Sequence, residues 1–430
     1  MKETRENKNL QFEVAQDRRL ARAISNSSRF VRMLVTAPSS DGTVKRPPIK
    51  ISFVMDRSGS MDGEKIRQAR LAVEEGVQLL ADRDEFALVT FNDQAAVPLP
   101  MRAKPESGRG LSSTLGEVGA SGQTNLCDGY LRGAEEFGSS KGDAIQRIIL
   151  VSDGQANVGE TSQAVLQTHA TELRRRGVST ATLGIGEDFN ESLLGAMANG
   201  GGGVARWAER PHQVRKAIRD CIEETLETVL TRVRIHVRLP HAEFQLLSLG
   251  DLRGGDGECT IDLGDMVADQ EREVLLRVIL PRGEIGSSVS ANIKLEAETL
   301  SGSSLTHRND ATWTYAQGQA IDAELNDLKR DRTIDLAVAR HYAEIAKGEA
   351  TDLNRRGSYN EARRVLERAA ERIERYALTP ELKAIVRELR SEAKKWSQPR
   401  DERTRKEAYF AMLNVRGSRF DDGSPRRRGQ

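Results

Sequence analysis

The chain has 430 residues, of which 65 are basic and 64 acidic, so its formal net charge is +1. This length allows two or three domains at roughly 100 to 200 residues each, and a hydrophobic share of 38% with a charged share of 30% argues against a disordered or membrane-embedded chain. The balanced charge excludes a global attraction to nucleic acid or to an anionic membrane, so any partner must be recognised locally.

The N-terminus and the cysteines indicate where the protein acts. No apolar run approaches the roughly 20 residues of a membrane-spanning helix, and the polar start MKETRENKNLQ lacks the apolar region of a secretory signal. The cysteines are few, widely separated and without C-x-x-C spacing, which is typical of reduced thiols in a protein core. We therefore expect a cytoplasmic protein without a membrane partner, in which Cys127, Cys221 and Cys259 are packing residues.

In chain order, the first predicted strand is the alternating run FVRMLVTAPSS at 30–40. From 50 to about 230, short β-branched runs alternate with helical patterns, which predicts an α/β domain with a mainly parallel sheet. The predicted strands are 50–56, 85–91, 147–153 and 178–186, and the predicted helices are 64–82, 126–137, 163–176, 191–198 and 213–229. The strands are nearly continuous apolar runs, as expected of strands covered by helices on both faces.

Beyond 231 the pattern changes to period-two alternation, as in RVRIHVRLP and REVLLRVILP, with turn residues such as GGDG between the runs. This texture predicts antiparallel strands. We expect the strand at 30–40 to join them in one β-sandwich, so that the α/β domain is an insertion between the first and second strands of that sandwich. From 318 the chain is again helical, which predicts a small helical bundle, and the tail DDGSPRRRGQ is predicted to be disordered.

Three loops at strand or helix ends share an unusual chemistry: FVMDRSGSMDG at 53–63, GQTN at 122–125 and VSDG at 151–154. All are predicted at or near the carboxyl edge of the parallel sheet, where ligands of open α/β sheets bind. The residues expected to converge there are Asp56, Ser58, Ser60, Thr124 and Asp153. Two carboxylates and three hydroxyls form an oxygen-only set, which favours Mg²⁺ or Mn²⁺ over zinc or copper.

These residues resemble the metal-ion-dependent adhesion site of the von Willebrand factor type A (vWA) family. Asp56, Ser58 and Ser60 match its D-x-S-x-S motif, Thr124 its distant threonine, and Asp153 its later aspartate. The resemblance implies that the hydroxyls and carboxylates hold a metal ion, and that a Glu or Asp carboxylate of a partner protein completes its coordination. The runs KRPPIKISFVMDRSGSM and DEFALVTFND are similar to the cytoplasmic bacterial branch of the family.

The resulting fold class is α/β, a Rossmann-like vWA domain with a mainly parallel sheet, inserted in a β-sandwich and followed by a C-terminal helical bundle. The predicted domains are an N-terminal segment at 1–45, the vWA domain at 46–229, the sandwich at 230–317, the helical domain at 318–415 and the tail at 416–430.

The polar cluster also has a plain structural interpretation, because Ser and Asp often cap helices and turns at strand ends. Caps alone do not require two carboxylates and a threonine in three such loops. The run NGGGGVARW at 199–207 lacks the Lys-Ser/Thr of a phosphate-binding loop and is interpreted as a loop before an edge strand. The six histidines have no ligand spacing, and the basic C-terminal region is interleaved with acids, so neither indicates a metal or nucleic-acid site.

The function predicted from the sequence is that of a non-enzymatic module for metal-dependent protein binding. An alternative is a scaffold or adaptor subunit of an ATPase-driven complex, because relatives that resemble this domain pair with AAA+ or other machines. A Mg²⁺-dependent phosphohydrolase with Asp56 as nucleophile is a further alternative, but Ser58 stands where its second acid is needed.

Overall fold

Three β-sheets and a group of C-terminal helices make up the protein in a computed structural model that describes residues 10–40, 46–107, 109–138, 144–327 and 332–429. The ends of the predicted N-terminal segment and tail, at 1–9, 41–45 and 430, lie outside the described residues. The strands are β1 (Gln11–Gln16), β2 (Leu20–Arg22), β3 (Ser27–Thr36), β4 (Ile49–Asp56), β5 (Glu85–Phe91), β6 (Ala95–Ala103), β7 (Ile145–Ser152), β8 (Val178–Ile185), β9 (Gly202–Ala208), β10 (Thr228–Arg238), β11 (Glu243–Leu246), β12 (Asp251–Gly255), β13 (Glu258–Val267), β14 (Glu271–Leu280), β15 (Ser288–Thr299) and β16 (Ser304–Ala316).

The helices follow the strands of the first sheet and then fill the C-terminal part of the chain. They are α1 (Glu64–Gln78), α2 (Lys104–Ser107), α3 (Leu111–Glu117), α4 (Leu126–Glu135), α5 (Gln163–Arg175), α6 (Glu191–Gly200), α7 (Gln213–Leu226), α8 (Gly318–Asn326), α9 (Thr333–Arg355), α10 (Tyr359–Glu374), α11 (Pro380–Trp396) and α12 (Glu402–Arg416), with a short 3₁₀ turn at Gly59–Met61.

The α/β domain contains a six-stranded sheet in the order β6-β5-β4-β7-β8-β9. Its strands are parallel except for β6, which pairs antiparallel with β5 at one edge. Apolar side chains cover both faces, because helices pack on each side of the strands. The chain leaves β4 toward β5 on one side and later returns to β7 on the other, so the strand order reverses between β4 and β7. Such a reversal is where open α/β sheets form a crevice at their carboxyl edge.

The β-sandwich consists of a four-stranded sheet, β1-β3-β14-β11, and a six-stranded sheet, β12-β13-β10-β15-β16-β2. Strand β3 pairs antiparallel with β14 along its ten residues, which confirms that the α/β domain is inserted in a β-sandwich. Between the two sheets lies one apolar core that includes the fully buried Met33 and Trp313. The α/β domain lies where predicted, between the strand at 30–40 and those after 231, but it does not follow the first strand of the sandwich, because β1 and β2 also precede it and pair with β3 and β16.

The C-terminal helices α9 to α12 pack around their own core, which includes Leu366 and Trp396. A turn joins α9 to α10, and Gly357 adopts a positive φ of 78° there, a conformation that favours glycine. The predicted disorder of the tail was wrong for the described residues up to 429. Main-chain bridges join Gln270 to Arg427 and Arg419 to Pro425, and the side chain of Arg419 contacts Glu224 in α7.

Candidate functional site

The sequence-predicted site residues lie at the carboxyl edge of the α/β sheet. Asp56 is the last residue of β4, and Asp153 directly follows β7, the parallel neighbour of β4. Ser58 and Ser60 belong to the loop and 3₁₀ turn after β4, and Thr124 stands two residues before α4. The two carboxylates, Ser58 and Thr124 are buried, whereas Ser60 is exposed. The site therefore opens toward solvent on the side of Ser60.

Hydrogen bonds join the predicted residues directly. The hydroxyls of Ser58 and Ser60 lie 3.2 Å apart, and Ser60 Oγ donates to Asp153 Oδ1 at 2.8 Å. The main-chain N–H of Ser58 donates to Asp56 Oδ1 at 2.8 Å, which folds the loop back over the end of β4. Four of the five residues thus form one connected group.

Thr124 approaches the same group next to Gly154. A Cβ atom placed on Gly154 would lie 3.3 Å from Thr124 Oγ1, 3.5 Å from Ser60 Oγ and 3.8 Å from Asp56 Oδ2. Oxygens from two loops, at 53–63 and 122–125, therefore surround the space beside this glycine, which belongs to the third loop. A side chain at position 154 would intrude among them, which gives the glycine a structural reason in addition to its role in the turn.

Hydrogen bonds hold the loop that positions Thr124. The Thr124 N–H donates to Asn157 Oδ1 at 2.9 Å, and Asn125 caps α4 by accepting from the main-chain N–H of Asp128. Gly122 adopts a positive φ of 77°, and an added Cβ there would lie 2.1 Å from the Asp93 carboxylate. The close approach of this carboxylate requires a glycine at position 122.

Asp56 is fully buried, and burial raises the pKa of its carboxyl from 3.8 to about 6. The hydrogen bonds from Ser152 and Ser58 act in the opposite direction, while the nearby Asp153 charge raises the pKa further. Ser152 Oγ donates to Asp56 Oδ2 at 2.6 Å, so each carboxylate oxygen of Asp56 accepts one hydrogen bond. A divalent cation would compensate the cost of this buried, ionised group.

Sequence reasoning missed two residues of the site. Ser152 is the last residue of β7 and orients Asp56. Lys65, the second residue of α1, donates from its ammonium group to Asp153 Oδ2. The helical pattern of α1 indicates only that Lys65 lies off the apolar face, so the sequence gives no signal that separates it from an ordinary surface lysine.

The donor set fits a hard divalent cation. All five predicted ligands offer oxygen, and two of them are carboxylates, which suits Mg²⁺ or Mn²⁺. Within the described ranges, no group of three or more His, Cys, Asp or Glu side chains is arranged to hold a metal ion. The candidate site differs from such groups because hydroxyls supply three of its five side-chain donors.

Comparisons with known proteins identify the domain in which the candidate site lies. Residues 50–216 match the family model described as von Willebrand factor type A domain. An uncharacterised protein, sll0103, from Synechocystis is 24% identical over 65% of this chain and 68% of its own length. Human inter-alpha-trypsin inhibitor heavy chain H4 is 31% identical over 43% of this chain. The match covers only 21% of the human protein's length.

Two solved structures share the fold over most of the chain. A von Willebrand factor type A protein from Catenulispora acidiphila has a TM-score of 0.69 and 19% identity, covering 93% of this chain and 89% of its own. The ArnB paralog VWA2 from Sulfolobus acidocaldarius has a TM-score of 0.61 and 16% identity, covering 91% of this chain and all of its own. The fold likeness therefore extends beyond the α/β domain.

The chain contains a vWA domain at residues 50–216. Domains of this class commonly bind a divalent metal at a site of the type described above. None of the helices in the described part of the chain is long and apolar enough to cross a membrane.

Proposed function

We propose that this vWA domain holds Mg²⁺ or Mn²⁺ among five residues and uses it to bind a Glu or Asp carboxylate of a partner protein. The residues are Asp56, Ser58, Ser60, Thr124 and Asp153. The observation that supports this most directly is the convergence of oxygens from two loops, those of Asp56, Ser60 and Thr124, beside Gly154 in the third loop. Caps of helices and turns would not need their side chains to meet at one point.

Each residue has a defined part in this proposal. Ser58, Ser60 and Thr124 are neutral donors, so only Asp56 and Asp153 offset the charge of a divalent ion. A bound ion would supply a Lewis-acidic position that takes an oxygen ligand from outside. The exposed position of Ser60 leaves that side of the site open to a partner. Ser152 and the Ser58 N–H hold Asp56 in a fixed orientation before any metal binds.

Binding fits the site better than hydrolysis of a phosphoester. A nucleophilic carboxylate must be reached by the phosphoester, but Asp56 is fully buried at the end of β4. A general acid beside it would also be required, and Ser58 occupies the position where the sequence would place one. We therefore propose a non-enzymatic role. We also propose that the protein acts in the cytoplasm, which cell fractionation would test.

The first experiment measures metal binding by the purified chain with Mn²⁺ as a spectroscopic probe. Electron paramagnetic resonance should report one tight site in the wild type, and Asp153→Ala and Thr124→Ala should each lose it. The control is Asp310→Asn, which removes the charge of an exposed acid in β16 of the sandwich. Equal binding by Asp153→Ala and the wild type would refute the assignment of the site.

The second experiment tests for the partner. The wild-type chain should retain a protein from its native lysate in Mg²⁺ and release it in EDTA, while Asp153→Ala should not retain it in either buffer. Purified partner variants that lack single exposed acids should then lose binding at one position. If the partner is an AAA+ ATPase, the protein acts as an adaptor of that machine. Retention that ignores both metal and mutation would exclude the site as the binding surface.

A further inference from the structure

Lys65 brings a positive charge into the site. Its ammonium group donates to Asp153 Oδ2, while Ser60 donates to the other oxygen of the same carboxylate. The side chain of Lys65 is 24% exposed, and that of Asp153 is fully buried. The lysine therefore reaches inward from the first turn of α1 to a buried acid and remains partly open to solvent.

Helix stability does not explain a lysine at this position. Positive side chains in the first turn of a helix face the positive end of its dipole, which is unfavourable. The lysine passes beside Gly186, which directly follows β8; a Cβ there would be in ordinary van der Waals contact with Lys65 Cε, at 3.7 Å. Lys65 thus occupies an unfavourable helix position and contacts a candidate metal ligand.

Lys65 changes the formal charge of the site. Asp56, Asp153 and Lys65 together carry a formal charge of −1 when the acids are ionised. With a divalent cation present the total becomes +1, whereas without Lys65 it would be zero. A carboxylate ligand is attracted by a positive site and hardly at all by a neutral one. The same positive charge repels the incoming metal ion.

We propose that Lys65 is a built-in cation of the site that weakens divalent metal binding and strengthens binding of the partner's carboxylate. This inference rests on the proposed function, because it concerns the same metal and the same ligand. An ammonium group has three N–H donors, and Asp153 is its one hydrogen-bond partner among the described residues. The other donors are available to a carboxylate that approaches from solvent, so Lys65 is a specificity-determining residue for anionic partners.

The test separates the two effects with two probes. Mn²⁺ binding is measured by electron paramagnetic resonance, and carboxylate binding by ¹⁹F relaxation of fluoroacetate at saturating Mn²⁺. In Lys65→Met, Mn²⁺ affinity should rise roughly three- to tenfold and fluoroacetate affinity should fall by a similar factor. Lys65→Arg keeps the charge and should stay near the wild type in both. The matched control is Lys216→Met, which removes an exposed ammonium paired with Asp220 in α7.

Each result has one interpretation. If Lys65→Met weakens Mn²⁺ binding, Lys65 serves to position Asp153 and the proposal is wrong. If neither affinity changes, the charge has no part in the site and the proposal is also wrong. Absence of Mn²⁺ binding, or of fluoroacetate binding, in the wild-type chain would instead refute the proposed function, on which this inference depends.

Discussion

Lys406 and Glu191 form a buried ion pair that joins the helical domain to the vWA domain. Lys406 Nζ lies 2.8 Å from Glu191 Oε2, and both side chains are at most 2% exposed. The same ammonium donates to the carbonyl oxygen of Phe189 at 2.7 Å and lies 3.9 Å from the centre of its ring. Glu191 begins α6, directly after the loop that leaves β8 at the carboxyl edge of the sheet. The helical domain is thereby held against the edge that carries the candidate site.

Lys406→Met should therefore destabilise the whole chain. Burial alone would raise the pKa of Glu191, but Lys406 and, to a smaller extent, Arg355 lower it. Loss of Lys406 therefore leaves this buried carboxylate with one cation fewer. We expect the free energy of unfolding to fall by about 2 to 4 kcal/mol, measured with urea. Lys383→Met, which removes an exposed lysine of α11, should change it by less than about 0.5 kcal/mol. Equal effects of the two substitutions would show that the ion pair does not stabilise the interface.

Metal binding should weaken in acid because of Asp56. Burial raises the pKa of Asp56 to about 6, so the folded, metal-free protein holds a proton there more tightly than the unfolded chain. Proton binding at Asp56 therefore contributes to the free energy of unfolding; this contribution is fully present below about pH 4 and is lost as the pH rises through 6. A divalent ion needs the ionised carboxylate, so Mn²⁺ affinity should fall roughly tenfold from pH 7.5 to pH 5.

Calorimetric titration with Mn²⁺ at pH 7.5, 6 and 5 would measure this change. In the metal-free state, the stability of Asp56→Asn should vary less between pH 5 and 7.5 than that of the wild type, because the substituted side chain does not titrate. An affinity that stays constant across this range would contradict the assignment of Asp56 as a ligand.

Gly154→Ala should reduce metal affinity and leave the fold intact. Gly154 is not among the positive-φ glycines, so alanine introduces no backbone strain. Its Cβ would approach Thr124 Oγ1 to 3.3 Å and displace that hydroxyl by a few tenths of an ångström. Because Mg²⁺ requires near-ideal octahedral geometry, we expect about a tenfold loss of affinity by calorimetric titration. Gly119→Ala, whose Cβ would meet nothing within 4 Å, is the control and should bind like the wild type.

The sequence predicted the parallel strands and the candidate site because both depend on local pattern. Strands β4 and β7 are apolar runs that end in polar loops, and parallel strands necessarily bring those loops to one edge. Other elements carry no such signal. Strand β6 contains Pro98 and Pro100, which usually argue against a strand and are tolerated here because β6 is an edge. Strand β2 has three residues and, within the described ranges, pairs only with β16, almost 300 positions later.

The two missed site residues illustrate the same limit. Ser152 ends an apolar strand, where a serine reads as the start of a turn, and Lys65 lies off the apolar face of α1. Their roles follow from contacts with Asp56 and Asp153, and those contacts exist only once β4, β7 and α1 are packed together. Identity and spacing of residues can indicate which loops meet, but not which neighbouring side chains turn toward them.

The tail provides the last prediction, since its packing overturns the disorder expected from its composition. Arg419 donates to the Glu224 carboxylate at 3.0 and 3.2 Å and to the Gly423 carbonyl oxygen at 2.7 Å. Burial alone would raise the pKa of Glu224, but Arg419 and Arg206 lower it. Arg419→Met should lower the free energy of unfolding by about 1 to 3 kcal/mol, because Arg206 still pairs with the buried carboxylate.

Urea unfolding measures this loss, and limited proteolysis reports on the tail itself. Trypsin should cleave the Arg419→Met tail faster than the wild-type tail. Arg428→Met is the control, because that exposed side chain has no hydrogen-bond or ion-pair partner among the described residues, and it should change stability by less than about 0.5 kcal/mol. Trypsin could instead cut both tails at the same rate, and the two proteins could have equal free energies of unfolding. That result would mean that the contacts of Arg419 do not hold the segment in place.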